Sequence, residues 1–172
     1  IMLMQAHSFF IGGIPMLFYG DEVGYTNDYS YLNDPAKSYD NRWMHRPVIE
    51  WSKNEKINIK GTVEQKVFSA TQQLIAIRKK LEVVSDYKNL TWLQPHNIHI
   101  AGYLRTHNGK KLYCIFNFSA APAYLTWFAF KQHGPVSAKL FDHWSNKQYH
   151  VGNDSEYFIL EPYSFYLLEP EL

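Results

Sequence analysis

Apolar residues at positions 1, 2, 3, 4, 6, 9, 10 and 11 predict the end of a buried helix over Ile1–Ile11. Gly12-Gly13 stops it, because glycine enters the left-handed region without a Cβ penalty. Ile14–Tyr19 is an unbroken apolar run of strand length, the pattern of a strand buried on both faces in a parallel sheet. From Gly20 to about Gly61 the sequence turns polar and aromatic, rich in Asn, Asp and Pro, and predicts a long connecting loop. Loops of that length in compact domains are more often functional than idle. Val63, Val67, Ala70, Leu74, Ile77 and Leu81 then recur at intervals of three and four, which predicts an amphipathic helix. Arg78-Lys79-Lys80 lie at its C-terminal end, where cations complement the helix dipole.

From about Tyr87 the pattern changes to short β-type runs. Ile98–His107 and Lys110–Phe118 flank Asn108-Gly109, the favoured two-residue type I′ hairpin turn. Further strands are predicted at Ala123–Phe128, Ala138–Phe141, Gln148–Val151, Tyr157–Leu160 and Ser164–Leu168, with Pro, Gly, Asn and Ser between them. The organisation expected is an α/β segment over residues 1–84, with its loop at 20–61, followed by an all-β antiparallel sandwich over 87–172.

Length and charge narrow the classes. At 172 residues the chain is too short for a complete (β/α)₈ barrel, which needs about 250. It starts at Ile rather than Met, so it is expected to be an excerpt of something longer. Seventeen basic and sixteen acidic side chains give a net charge of +1, without the clustered basic excess of a nucleic-acid binder. The opening apolar stretch is too short to cross a bilayer and lacks a signal peptide's basic start, so neither membrane nor nucleic acid is expected as a partner. Cys114 is the only cysteine, which excludes an intramolecular disulfide and any zinc site built on cysteines, and slightly favours the cytoplasm. His96 and His99 would point to opposite faces of an extended segment, so no metal site is expected there. Asn27, Asp28, Asn33 and Asp34 match no EF-hand spacing and are read as solvated turn residues. No cofactor is expected.

Two runs carry candidate chemistry. Asp21-Glu22 follows the apolar run directly, and as adjacent residues they do not form a catalytic dyad by themselves. The reading preferred is a brace that accepts backbone N–H groups. The second run, Asp40-Asn41-Arg42-Trp43-Met44-His45-Arg46-Pro47, gathers Asp40, Arg42 and His45 as candidate substrate-binding residues. A guanidinium offers a planar fork for a carboxylate or for sugar hydroxyls. A local Asp–Arg surface network is the alternative, and the residues alone leave both open.

Taken together, Gly13-x-Pro15-x-x-Phe18-Tyr19-Gly20-Asp21-Glu22 resembles the segment at barrel strand eight shared across the α-amylase superfamily, glycoside hydrolase family 13. Asp40-x-Arg42-Trp43-x-His45-Arg46-Pro47 resembles the amylosucrase form of the loop that follows. Phe116-Asn117-Phe118-Ser119, Leu140-Phe141-Asp142 and Leu160-Glu161-Pro162-Tyr163-Ser164-Phe165-Tyr166-Leu167 resemble the all-β domain after the barrel. The resemblance implies the last strand and helix of a TIM barrel followed by that β domain. It implies a parent enzyme that takes glucose from sucrose and passes it to an α-glucan or to water. Arg42 would pair with an aspartate from elsewhere in the barrel, closing the floor of the glucose pocket. The family's nucleophile, acid/base and transition-state-stabilising carboxylates would all precede Ile1, so no residue here is assigned a catalytic role. The partners implied are carbohydrate (sucrose and α-glucan) and the rest of the barrel. The rival class is a non-catalytic β module, either a structural prop or a glycan binder using Trp92, Trp127 or Trp144.

Overall fold

The computed structural model describes residues 1–171. Two compact units emerge, one of Ile1 and Met16–Gln72, the other of Met2–Pro15 and the chain from Gln73 onward.

The second unit opens with helix α1, Met2–Phe10, which buries Leu3, Ala6, Phe9 and Phe10. Its spacing of three and four puts those residues on one face, as the periodicity predicts. In the first unit a single short turn of helix, α2, covers Trp51–Asn54. The amphipathic helix α3 runs Val63–Lys80, its N-terminal part in the first unit and its C-terminal part in the second.

Among the described residues eight strands follow: β1 Leu90–Trp92, β2 Ile100–His107, β3 Lys110–Asn117, β4 Ala123–Thr126, β5 Lys139–Asp142, β6 Lys147–His150, β7 Tyr157–Leu160 and β8 Phe165–Pro170. Six form one sheet in the order β1-β2-β3-β8-β5-β6, and β4 pairs with β7 in a second. Every pairing is antiparallel. The hairpin turn is where the sequence puts it: Asn108 and Gly109 take φ of 49° and 79°, and His107 faces Lys110. A type I′ turn needs both central residues at positive φ, which is the reason Asn-Gly signals it.

One face of the large sheet meets α1 and α3. Tyr103, Leu112, Cys114, Phe116, Phe165 and Leu167 pack there against Leu3, Phe9, Phe10, Leu74 and Ile77. The other face meets the small sheet, with Leu104, Ile115, Leu140 and Leu168 against Leu125, Phe158 and Leu160. Period-2 alternation along β2 and β3 supplies both cores at once, so the hairpin is buried on both sides.

Two guanidinium groups close the end of α1. Arg78 donates to the carbonyls of Phe9 and Gly13. Arg105, fully buried on β2, donates to the carbonyls of Phe10 (2.8 Å) and Asp86 and to the Asn89 amide oxygen (2.9 Å). The last carbonyls of a helix have no partner within it, and cations there meet the negative end of its dipole. Burial, and after it the neighbouring charge of Arg105, lowers the pKa of Arg78.

Three expectations need correction. Ile14–Tyr19 forms no strand; Ile14 and Met16 are 90% and 89% exposed. An apolar run becomes a strand only where neighbours pair its main chain, and no described strand does so. The predicted strand Ala123–Phe128 stops at Thr126, and Trp127–Lys131 forms a short helix, α4. Its Trp127 and Phe130 are buried at helical spacing, and Phe130 meets Tyr113 and Phe158 edge to face. Strand β1 was not expected at all.

Candidate loop site at residues 18–54

In the first unit, the long loop is a succession of short 3₁₀ turns at Asp21–Val23, Ser30–Asn33, Asn41–His45 and Glu55–Asn58, with α2 among them. Aspartates organise it by accepting main-chain N–H groups two residues on: Asp28 from Ser30, Asp34 from Ala36 and Asp40 from Arg42. Such side-chain turns give the backbone a partner where no helix or sheet supplies one. The Ser30 side chain and then its N–H lower the pKa of Asp28, and the Ala36 N–H, followed by the Lys37 side chain, lowers that of Asp34.

Asp21 and Glu22 act as a brace. Phe18 donates its N–H to Asp21 at 3.0 Å, and Gly20 donates to Glu22 at 2.9 Å. Gly20 sits at φ 91°, and a Cβ there would lie 2.9 Å from Tyr25, so this corner excludes any other residue. Tyr25 bridges two segments, its hydroxyl accepting from Glu50 N–H and donating to the Asn54 side chain at 3.0 Å.

Arg42 and Asp40 form a fork. Arg42 Nε lies 2.9 Å and 3.0 Å from the two carboxylate oxygens, and Nη2 lies 2.8 Å from Oδ2. Asp40 also caps the 3₁₀ turn Asn41–His45 through the Arg42 N–H at 3.0 Å. Its side chain is only 15% exposed, whereas that of Arg42 is 75% exposed. The guanidinium is thus held along one edge and open along the other. Hydrogen bonds from Arg42, side chain first, hold the Asp40 carboxyl down at about 2, below its ordinary 3.8. Because the folded value lies below the unfolded one, the pair's stabilisation is complete above the ordinary carboxylate range and is lost as pH falls towards 2. A carboxyl ¹³C titration of Asp40 is expected to give a midpoint near 2, and a midpoint near 3.8 would mean that the fork is not formed in solution.

His45, at the far end of the same turn, places Nδ1 3.2 Å from Asn27 Oδ1. It lines an open cleft of about 270 Å³ with Phe18, Tyr19, Asp21, Asn27 and Pro47. Tyr19 donates its hydroxyl to the Pro47 carbonyl at 3.1 Å, tying the two sides of this cleft. Arg46 and Lys37 each lie 5.2 Å from the centre of the Trp43 ring, which orders the loop around that tryptophan. The three residues expected to bind substrate therefore share one turn, with Arg42 open to solvent and His45 in the cleft wall. Asn27 and Phe18 belong to that wall as well. Nothing in their spacing signals this, because the cleft is closed by a contact across eighteen positions.

Of the three tryptophans considered for glycan, Trp127 is buried, Trp144 packs at a tilt against Phe165 at 4.8 Å and Trp92 alone is exposed. Among the described residues no group of three His, Cys, Asp or Glu side chains is placed to hold a metal ion, and no helix is long and apolar enough to cross a membrane.

The β strands beyond Leu90 bear the deciding comparison: residues 90–167 match the family described as Maltogenic Amylase, C-terminal domain. This β domain is similar to the C-terminal domain of maltogenic amylase. Solved structures extend the likeness in fold to almost the whole chain. The α-amylase from Geobacillus thermoleovorans complexed with acarbose aligns over 99% of this chain at 14% identity with a TM-score of 0.69. AmyP in complex with maltose aligns over 98% at 14% identity and 0.71. A mutant of the trehalulose synthase MutB aligns over 99% at 18% identity and 0.65. The chain spans 33% of the AmyP chain and of the Geobacillus α-amylase chain, and 38% of MutB. The maltogenic-amylase-like domain thus occupies only part of the aligned length, and residues 1–89 share in the fold likeness.

Proposed function

We propose that this chain is the C-terminal portion of an α-amylase-superfamily enzyme that transfers or hydrolyses α-glucosyl groups in the manner of an amylosucrase. Residues 1–84 contribute the last strand, the substrate-side loop and the closing helix of the barrel, and residues 87–172 contribute the β domain that follows in the chain. Support comes from the match of the β domain, from fold likeness over the whole chain, and from the motif around Arg42.

The observation that carries the reading is the half-occupied guanidinium of Arg42. A planar fork already held along one edge keeps its remaining N–H groups in fixed geometry for a second partner. In the intact enzyme that partner is a carboxylate of the barrel, and the closed pair forms the floor of a pocket for one glucosyl unit. The chemistry is a retaining double displacement: a carboxylate outside this chain attacks the anomeric carbon, the bond to the leaving group breaks, and an acceptor hydroxyl later displaces the enzyme carboxylate. The exposed run Ile14–Tyr19 is accounted for in the same way, since barrel strands on either side would pair its main chain and cover Ile14 and Met16.

In the intact enzyme, Arg42→Ala is expected to cost about 2 kcal/mol of transition-state binding, which is about a thirtyfold fall in kcat/KM on sucrose. Unchanged kcat/KM at unchanged thermal stability removes Arg42 from the pocket.

A further inference from the structure

The geometry points to Asp40 as the positioning residue for Arg42: a carboxylate that sets the direction of the guanidinium and touches no substrate itself. The inference rests on the pocket role proposed for Arg42 and adds a distinct claim about how that role is achieved.

Three features of the fork carry it. Asp40 engages Arg42 three times through the side chain and once through the main chain, so the arginine's first atoms and its guanidinium plane are fixed together. A long side chain that is 75% exposed otherwise keeps wide rotamer freedom, and ordering it at the moment of binding costs free energy. Asp40 itself is largely covered, with both oxygens directed onto Arg42, and has little left to offer a ligand. The two residues are also only two positions apart, so the constraint is local and does not depend on any other segment. Asp40 thereby removes most of the ordering cost before a sugar or a second carboxylate arrives.

Asp40 has a second task, capping the 3₁₀ turn, and the two can be separated. Asparagine caps a turn about as well as aspartate, but its neutral amide cannot accept the two-oxygen fork. Asp40→Asn in the intact enzyme is therefore expected to lower the thermal midpoint only by the small share of an exposed pair and to lose about tenfold in kcat/KM on sucrose. Asp40→Ala loses the same activity and lowers the midpoint further, because the cap goes too. Because Asp40 acts through Arg42, adding Asp40→Asn to Arg42→Ala is expected to change nothing further. In the wild-type chain the Arg42 Nε–H should exchange slowly with solvent by NMR, and in Asp40→Asn rapidly.

Wild-type activity in Asp40→Asn alongside an impaired Arg42→Ala overturns the positioning role and leaves the pocket reading standing. Full multiplication of the two losses in the double variant also overturns it, because Asp40 would then act independently. An Arg42→Ala enzyme with normal kcat/KM removes the pocket reading, and the inference falls with it.

Discussion

Replacing Arg105 with methionine is expected to lower the unfolding free energy by roughly 3–5 kcal/mol. Methionine fills a similar volume, so the loss is one of hydrogen bonding and not of packing. The guanidinium satisfies the carbonyls of Phe10 and Asp86 and the Asn89 side chain. The Phe10 contact is buried and the other two are part-buried; a buried acceptor left without a donor costs about 1–3 kcal/mol. Removing the charge recovers its desolvation cost, but the three acceptors are not replaced with it, and unpaired acceptors outweigh that gain. Lysine at 105 keeps the charge and reaches one acceptor at a time, so it should recover only part of the loss. Urea denaturation of the three proteins measures this. A methionine variant within 1 kcal/mol of wild type would mean that water takes over the guanidinium's bonds.

Phe116→Ala should cost a similar amount, about 3–5 kcal/mol, for a different reason. Phe116 is fully buried and stands in a row of rings, with Tyr103 at 5.7 Å, Phe118 and Phe165 at 6.2 Å and His7 edge-on at 5.0 Å. Truncation opens a cavity bounded by sheet on one side and α1 on the other, neither of which collapses easily. Phe116→Leu keeps most of the volume and is expected to lose under about 1.5 kcal/mol. Equal losses from Leu and Ala would assign the cost to ring stacking instead of volume.

How far the sequence could be read depended on what each element needs. The β2–β3 hairpin was legible because its turn is fixed by two adjacent residues with positive φ. Helices α1 and α3 were legible because one apolar face suffices to define them. Ile14–Tyr19 was misread because an apolar run records composition alone, and no described strand pairs its main chain. Trp127-Phe128 was read as the end of a strand because short apolar runs do not distinguish period 2 from period 3.6. In the loop, the cluster of Asp40, Arg42 and His45 was visible as residue types. Its internal pairing was one of two readings left open, as a local Asp–Arg network, because an i, i+2 fork is decided by the 3₁₀ turn that Asp40 itself caps. Arg105 carried one overlooked signal: a lone cation in the middle of an apolar hairpin strand has to find acceptors somewhere.

The placement of β8 bears on how the protein comes off the ribosome. It lies at the centre of the large sheet, hydrogen-bonded to β3 on one side and β5 on the other. Both neighbours are made well before it. Until Phe165–Pro170 emerges, a nascent chain holds β1-β2-β3 and β5-β6 as two separate half-sheets, each with an unpaired inner edge. Such edges recruit other strands, so this is the interval in which the growing chain most needs a chaperone.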